Sequence, residues 1–304
     1  MSAAAGSGER FVGVGDGITL CYETFGDPTD PPLLLVMGLG MQMIAWRDDL
    51  CADLAGRGLH VVRFDNRDAG RSTSVSGRPP GLRQLATRRF PGDQYTLEDM
   101  VDDTAGLLRE LGLAPAHVVG ASLGGMIAQS LAARQPDSVR TLTSIMSTTG
   151  NRFKGQPALG MYRHLLAQPP KEREAFIDHV ARIFAKIGSP GFPTDEAEVR
   201  ERAARSFDRG TNPAGTARQL AAILKSGDRT RELRRISAPT LIVHGSADRL
   251  VAPSGGRATA AAIPGAELMT VEGMGHDLPR AVWPRIFGAI AERARRFDAV
   301  SQAA

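Results

Sequence analysis

The 304-residue sequence predicts an α/β protein with a mostly parallel, doubly wound sheet that is interrupted by an inserted helical cap. The first observation is that short apolar runs alternate with helical patterns as far as residue 148. The second is that residues 149–235 carry helical patterns but no run typical of a central strand. The third is that the alternation resumes at Pro239. We therefore expect a core of residues 1–148 and 236–304 and a cap of residues 149–235.

The elements ahead of the cap begin with a hairpin whose two strands meet at the turn Gly15-Asp16-Gly17. Continuous apolar runs then indicate central parallel strands, which bury both of their faces. Glycine and proline mark the ends of the intervening helices, as at Gly58 and Pro136. The predicted strands are residues 11–14, 18–25, 33–37, 60–65, 116–121 and 139–146, and the predicted helices are residues 45–57, 94–112 and 124–135.

The cap and the elements after it follow the same reasoning from hydrophobic period and helix-breaking residues. Within the cap, the helical patterns are residues 158–166, 172–187, 195–206 and 213–224. After the cap, we expect a strand from Pro239, a helix over residues 255–263, a strand over 267–271 and a final helix over 280–297.

The connection formed by residues 73–93 is longer than is usual between a strand and a helix. It contains Pro79-Pro80 and Pro91-Gly92, which interrupt regular structure. Two interpretations stay open: an ordered lip of a binding site, or a mobile loop.

The charge balance is weakly basic, because 37 Lys and Arg residues stand against 33 Asp and Glu residues. The basic residues are scattered, with no run longer than pairs such as Arg88-Arg89 and Arg295-Arg296. Aromatic side chains are not interleaved with them in a way that would stack bases. We expect a solvated basic surface and no nucleic-acid partner.

The chain also lacks the sequence signals of export and of metal binding. Residues 1–10 have no apolar core of a signal peptide, and no run approaches the roughly 20 apolar residues of a membrane span. Cys21 and Cys51 lie in a predicted strand and a predicted helix, without metal-ligand spacing. We expect two reduced packing cysteines in a cytoplasmic monomer or homodimer that has no membrane span and binds no metal or cofactor.

The motif that carries the chemistry is Gly120-Ala121-Ser122-Leu123-Gly124, which follows an apolar run and precedes helix-forming residues. This is the sequence form of a nucleophile elbow, a sharp strand-to-helix turn that exposes a serine. Gly120 and Gly124 are needed because side chains at those positions would collide with the neighbouring strand and helix. Ser122 is therefore the candidate nucleophile, although the motif also fits a small residue in a tight turn.

Serine needs a base and an acid, and both have candidates further along the chain. Asp248 follows the apolar run of residues 239–243, and His276 follows the run of residues 267–271. Each candidate thus comes after a strand's carboxyl end, where ligands collect in open α/β sheets. Taken alone, Asp248 also fits a helix cap and His276 a loop histidine. The order Ser122, Asp248, His276 is the one that the elbow motif predicts.

On these residues the chain resembles the α/β-hydrolase superfamily, and the resemblance covers nearly all of it. The closer similarity is to aclacinomycin methylesterase-like enzymes and bacterial carboxylesterases and lipases. It is carried by the elbow and by the segments 33–38, 62–73 and 273–276.

The resemblance implies an oxyanion hole made of two backbone N–H groups, those of Leu123 and Leu39. Superfamily members usually carry His-Gly after the third strand, whereas this chain has Met37-Gly38. Since the donor is a backbone group, the replacement of the histidine need not abolish the hole. Gly38 lets the loop pass close to the substrate.

The remaining polar residues have mainly structural interpretations. The charge cluster formed by Asp65, Arg67, Asp68 and Arg71 could clamp an acidic substrate, but a network of salt bridges and caps is favoured. The other histidines are expected to pack or to begin strands; they are His60, His117, His164, His179 and His244.

Methionines gather where the pocket is expected, and they suit an adaptable apolar site as well as an ordinary core. The candidates for the substrate pocket are Met41, Met126, Met146 and Met161. The sequence thus predicts a serine hydrolase that cleaves small to medium, hydrophobic carboxylic esters through an acyl-enzyme. Thioesterase, lactonase, C–C bond hydrolase, perhydrolase and a receptor-like binding protein remain alternatives on the same fold.

Overall fold

A computed structural model describes residues 6–161 and 168–303. Within these residues the chain forms one sheet of eight strands. They are β1 (Arg10–Gly15), β2 (Ile18–Phe25), β3 (Pro32–Val36), β4 (His60–Phe64), β5 (Ala116–Ala121), β6 (Val139–Ile145), β7 (Thr240–Gly245) and β8 (Glu267–Val271). Their order in the sheet is β1-β2-β4-β3-β5-β6-β7-β8. Strand β2 pairs antiparallel with β1 and with β4, and all other neighbours pair parallel.

Helices cover both faces of this sheet. The regular helices are α1 (Asp48–Ala55), α2 (Leu82–Thr87), α3 (Leu97–Glu110), α4 (Leu123–Arg134), α5 (Arg173–Ile187), α6 (Glu196–Arg209), α7 (Pro213–Ser226), α8 (Thr230–Leu233), α9 (Ser254–Ala262) and α10 (Trp283–Ala303). Helices α3 and α4 pack with one hydrophobic cluster, and α1 and α10 with the other. The predicted doubly wound α/β class is therefore confirmed.

The apolar pattern of the sequence explains this layering. Strand β3 is buried along residues 33–36, because a central parallel strand is covered on both faces. Helix α10 buries Ile286, Phe287 and Ile290, which recur at the spacing of one helix face. Cys21 and Cys51 are free and buried, as expected for packing residues, and burial raises the pKa of each thiol to about 12.

Most predicted elements lie within a few residues of their observed bounds, and three differences are informative. Residues 73–93 are not wholly irregular, since they contain helix α2. The short helix α8 was missed, because four residues carry too little hydrophobic period to detect. The pattern over residues 158–166 begins as a 3-10 turn at Leu159–Met161, and its remainder, with His164 and Leu165, lies outside the described residues.

The helices α5 to α8 all lie between β6 and β7, and we call residues 149–235 the helical insertion. No strand occurs in its described parts, residues 149–161 and 168–235. Its two ends lie side by side: the N–H of Arg229 donates to the carbonyl of Thr149 at 2.9 Å, and Asn151 donates to Asp228 at 2.8 Å. We call this contact between the two ends the neck of the insertion.

In the described residues, no helix is both long and apolar enough to cross a membrane.

Candidate active site

Ser122 lies at the junction of β5 and α4 with a φ of 55° and a ψ of −118°. This left-handed conformation is strained for serine and is the backbone of a nucleophile elbow. The two motif glycines allow it, because a Cβ on Gly120 would lie 2.1 Å from the Gly124 carbonyl oxygen. A Cβ on Gly124 would lie 2.1 Å from the carbonyl oxygen of Val36. The strand–turn–helix context predicted for Ser122 is thus what the structure contains.

The backbone of Ser122 is fixed on both sides. Its N–H donates to the carbonyl of Ile145 at 2.9 Å, and its carbonyl accepts from the Ser147 hydroxyl at 2.8 Å. Both partners follow from the parallel pairing of β5 with β6, which brings their carboxyl ends to one edge of the sheet. The side chain of this half-buried residue is therefore held at that edge.

Asp248 and His276 come together at the carboxyl ends of β7 and β8. The Nδ1 atom of His276 lies 2.7 Å from Oδ2 of Asp248. The other carboxylate oxygen accepts from the N–H groups of Leu250 and Val251 at 2.9 and 2.8 Å. The structure thus joins the two residues that the sequence proposed as acid and base, and it orients the acid with two backbone donors.

The pKa of Asp248 lies well below its usual range. Burial acts to raise this pKa, but the charge of His276, hydrogen bonds from His244 and His276, and the N–H of Val251 outweigh the burial. Asp248 therefore stays ionised through the pH range in which histidine titrates, and a permanent negative charge faces Nδ1 of His276.

His244 is a contact of the acid that sequence reasoning treated only as packing. Its Nε2 atom lies 2.9 Å from the carbonyl oxygen of Val251 and 3.5 Å from Oδ2 of Asp248. The ring is 2% exposed, so these contacts are shielded from water. The available signal was the spacing of four residues between His244 and Asp248 across the end of a strand.

The helical insertion forms hydrogen bonds with the loop that follows β8, residues 272–279, which we call the histidine loop. The N–H of His276 donates to the carbonyl of Ile187 at 2.7 Å. The Ser189 hydroxyl accepts from the N–H of Gly275 at 2.8 Å and donates to the Asp277 carboxylate. No motif marked these two residues. Ile187 acts through its backbone carbonyl, and Ser189 lies almost 90 residues along the chain from its partner Asp277.

The loop after β3, residues 37–41, lies against the nucleophile. A Cβ on Gly38 would be 3.2 Å from Cβ of Ser122. The loop is tied to the insertion, since the N–H of Gly40 donates to Gln219 at 2.8 Å. Within the described residues, the amides of Gly40 and Met41 in this loop donate hydrogen bonds, and none is found from the amide of Leu39. Leu123 is the first residue of α4, where an N–H has no acceptor within the helix.

The charge cluster after β4 forms the buried attachment of the insertion. Arg209 donates to Asp65 at 2.8 Å, and Arg218 donates to both oxygens of Asp68 at 2.8 and 2.6 Å. Arg67 pairs instead with Asp103 of α3. These pairs have the structural role that the sequence favoured. The arginine partners of Asp65 and Asp68 lie 144 and 150 residues further along the chain, so the sequence could not indicate the pairing.

The proposed pocket methionines occupy different surroundings. Met126 and Met146 belong to the two hydrophobic clusters on opposite faces of the sheet, and Met41 packs against the second cluster. Met161 is 4% exposed and belongs to neither cluster. Of the four, Met161 is thus the one that lies within the insertion and outside both clusters.

One cavity of the described residues lies away from Ser122, Asp248 and His276. It has a volume of about 380 Å³ and is lined by residues of the first hairpin, of residues 92–99 and by Lys225. None of Ser122, Asp248 and His276 lines it. Among the described residues, no three His, Cys, Asp or Glu side chains form a group that could hold a metal ion.

This sheet, with an elbow serine and a hydrogen-bonded Asp–His pair at one edge, is typical of hydrolytic enzymes of the α/β class. The chain belongs to the α/β hydrolase fold family, whose family model matches residues 31–279. This membership confirms the superfamily that the motifs indicated.

Individual relatives point in the same direction. The chain is 29% identical over 300 residues to the rhodomycin D methylesterase DnrP of Streptomyces peucetius, covering 92% of this chain and 96% of that protein. It is 27% identical over 274 residues to the putative non-heme bromoperoxidase BpoC of Mycobacterium tuberculosis, covering 87% and 95%. A solved hydrolase from Pseudomonas aeruginosa shares 26% identity with a TM-score of 0.69, covering 96% and 98% of the two chains.

Proposed function

We propose that the protein is a serine carboxylesterase in which Ser122 is the nucleophile, His276 the general base and Asp248 the residue that orients the base. The observation that carries the proposal is the strained elbow serine at the same sheet edge as the hydrogen-bonded Asp248–His276 pair. Family membership and a methylesterase relative support ester hydrolysis in general terms. The residue roles and the substrate rest on the geometry.

The reaction follows from the tautomer of His276 that the Asp248 carboxylate favours. With Nδ1 of His276 donating to the carboxylate, Nε2 is left as an acceptor for the Ser122 proton. The Ser122 oxygen then attacks the ester carbonyl carbon, and His276 returns the proton to the departing alcohol. Water gives a proton to the same imidazole and attacks the acyl-enzyme. The bond to Ser122 then breaks as His276 returns that proton to the serine oxygen, and the acid is released.

The negative charge that develops on the carbonyl oxygen needs donors that are already in place. We assign this role to the N–H groups of Leu123 and Leu39. Gly38 supports the assignment, because it brings the Leu39 loop against Cβ of Ser122. The Gly40–Gln219 hydrogen bond fixes the loop from the side of the insertion. Losing one such donor typically slows catalysis by about 10²–10³-fold.

The helical insertion serves, in this proposal, as a cap domain that selects the substrate. Its contacts with the histidine loop through Ile187 and with the Leu39 loop through Gln219 support a position over the reacting groups. Phe176 and Phe207 pack together with ring centres 5.4 Å apart, which gives the cap an apolar interior. Small to medium hydrophobic esters fit such walls, and Met161 is the methionine we place among them.

The test compares wild type with Ser122→Ala on p-nitrophenyl acetate and butyrate. We expect kcat/KM to fall by roughly 10³-fold or more, as is typical of serine triads. A fluorophosphonate should label wild type at Ser122, as located by peptide mass. Ser138→Ala, a serine outside the site, is the matched control and should behave as wild type. A loss below tenfold, or labelling elsewhere, would refute the assignment.

The same triad can also serve thioesters, lactones, C–C bonds or perhydrolysis. Parallel assays with the butyryl thioester and a lactone of equal carbon number separate these chemistries. The oxygen ester should have the largest kcat/KM; a reversal would keep the triad and change the substrate class.

A further inference from the structure

The loop that carries Asp248 connects β7 with α9 over residues 246–253, and we call it the acid loop. Backbone hydrogen bonds tie its first two residues to the strand and the loop that precede His276, each at 3.0 Å. These bonds fix the start of the acid loop. They do not reach residues 249–253, which follow the carboxylate and supply two of its backbone donors.

The side chain of His244, at the end of β7, holds the second half of the acid loop. Its Nε2 atom lies 2.9 Å from the carbonyl oxygen of Val251. Because a carbonyl can only accept, Nε2 must carry the proton of the ring. Among the described residues, no other side chain from outside the acid loop hydrogen-bonds residues 249–253. The position of this half of the loop therefore depends on His244.

Val251 connects His244 to the carboxylate of Asp248. Its N–H donates to Oδ1 of Asp248 at 2.8 Å, while its carbonyl accepts from His244. The same Nε2 atom of His244 lies 3.5 Å from Oδ2, the oxygen that lies 2.7 Å from Nδ1 of His276. His244 thus contacts one carboxylate oxygen directly and the other through Val251, and these contacts together restrict rotation of the carboxylate.

The other ring nitrogen of His244 shows that packing alone does not explain this residue. A Cβ on Gly256 of α9 would lie 2.5 Å from Nδ1, so the helix packs directly against the ring. Nδ1 is buried and has no hydrogen-bond partner among the described residues. A buried polar atom without a partner is destabilising, and an apolar side chain would avoid that cost. The contacts of Nε2 are what the histidine supplies in return.

We propose that His244 is a positioning residue, which holds Val251 and the Asp248 carboxylate in the orientation that presents Oδ2 to His276. This inference rests on the proposed esterase function and adds a residue to its machinery. His244 acts through Asp248 and does not touch the substrate. A displacement of about 1 Å in a group that supports catalysis can slow the reaction by about 10²-fold. The loss should appear in kcat rather than in KM, because the orientation of the base matters in the chemical step.

The variants separate the hydrogen bonding of Nε2 from the volume of the ring. His244→Leu removes the donor, whereas His244→Gln keeps an amide N–H at about the position of Nε2. The matched control is His60→Leu, since His60 is also a buried strand histidine with an unpartnered Nδ1, but begins β4 at the opposite edge of the sheet. Urea unfolding shows whether each variant is folded. If His244→Leu is not, His244→Asn, whose amide is too short to reach Val251, replaces it.

The first readout is steady-state kinetics with p-nitrophenyl butyrate. We expect His244→Leu to lower kcat by roughly 10- to 100-fold and to leave KM within about threefold of wild type. His244→Gln should recover most of the lost kcat, because it restores the donor to Val251, and His60→Leu should match wild type. A kcat of His244→Leu within about threefold of wild type, no recovery in His244→Gln, or an equal loss in His60→Leu overturns the proposal.

The second readout needs no hydrolysis. In the Ser122→Ala protein, the proton on Nδ1 of His276 that bonds Asp248 is followed at low field by proton NMR, with ¹⁵N-labelled histidine for assignment. We expect this signal to be lost in Ser122→Ala/His244→Leu and to persist in Ser122→Ala/His60→Leu. A signal that persists without His244, or that is absent from Ser122→Ala itself, overturns the proposal. If wild type hydrolyses no p-nitrophenyl ester, the esterase function fails, and this signal alone decides on His244.

Discussion

The two regions that build the candidate site are held by different forces. The core places Ser122, Asp248 and His276 at strand ends through backbone pairing, which is insensitive to side-chain identity at most positions. The helical insertion reaches the same edge through side-chain ion pairs and single hydrogen bonds. The comparison teaches that the candidate catalytic residues are fixed by the sheet. The insertion beside them is fixed by contacts that one substitution can remove.

The largest expected effect lies in the core and distinguishes the roles of two carboxylates near His276, those of Asp248 and Asp277. Asp248→Asn should lower kcat by roughly 10⁴-fold on all esters, because the amide favours the wrong tautomer of His276. The matched control Asp277→Asn removes a carboxylate that does not bond the imidazole, and its loss should stay below about tenfold. Steady-state kinetics with p-nitrophenyl butyrate measures both. Equal losses would mean that the acid is misassigned.

The second effect concerns the buried attachment of the insertion. Arg218→Met leaves the buried Asp68 carboxylate without its bidentate partner, so the free energy of unfolding should fall by about 3–5 kcal/mol. The exposed pair Arg173–Asp208 lies within the insertion, and Arg173→Met should leave the free energy of unfolding close to the wild-type value, because water screens the pair. Urea unfolding followed by circular dichroism distinguishes the two, and a cost for Arg218→Met as small as the control's contradicts the anchoring role.

The third effect should appear only in selectivity. Met161→Ala should change the ranking of p-nitrophenyl acetate, butyrate and octanoate by about tenfold, if the insertion supplies the walls. Met100, on α3 in the core, is 1% exposed, and Met100→Ala should destabilise the protein without changing the ranking. Relative kcat/KM values across the three esters provide the measurement. A parallel loss on every ester would assign Met161 a structural role only.

The smallest effect lies at the exposed contact between the insertion and the core. Glu198 bonds Arg47 and Arg280, each at 2.9 Å, and the guanidinium carbons of both lie within 5.5 Å of the Trp283 ring centre. The hydrogen bond from Arg47 is the main cause that lowers the pKa of Glu198 to about 2, from 4.5. Because the folded state holds this pKa down, the stabilisation is present above about pH 4.5. It is lost as the pH falls through about 2.

Glu198→Gln should therefore lower the melting temperature above pH 5, by the equivalent of about 1 kcal/mol or less, since the pair is screened by water. The difference from wild type should vanish toward pH 2. Glu196→Gln, on the same helix and involved only in a long contact with Arg200 at 3.7 Å, is the control. A difference between wild type and Glu198→Gln that persists at low pH would show that the contact is not electrostatic.

The sequence predicted the core closely because its signals are local. Residues 120–124 specify the elbow by themselves, and each of Asp248 and His276 directly follows an apolar strand. The same reasoning could not find how the insertion is attached. The partners of Asp65 and Asp68 are arginines in distant helices, and either arginine could equally face solvent in the sequence. Long-range ion pairs carry no periodic signal, so only the folded chain reveals them.

His244 illustrates the same limit inside the site. It is one of several histidines, and it belongs to no motif. His244 matters because a strand end brings its ring to Asp248. Its role depends on orientation, which residue type and spacing do not determine.

The neck of the insertion has a consequence for how this fold can change over time. A Cβ on Gly150 would lie 2.1 Å from the carbonyl oxygen of Gly227, so the chain leaves the sheet and returns to it at one point. Loop-closure entropy grows only slowly with length. Helices between these two ends can therefore be lengthened, shortened or exchanged at little cost to the sheet, provided that Arg209 and Arg218 remain to pair with Asp65 and Asp68. Residues 151–226, grafted as one cassette that keeps these two arginines, are the natural unit of exchange.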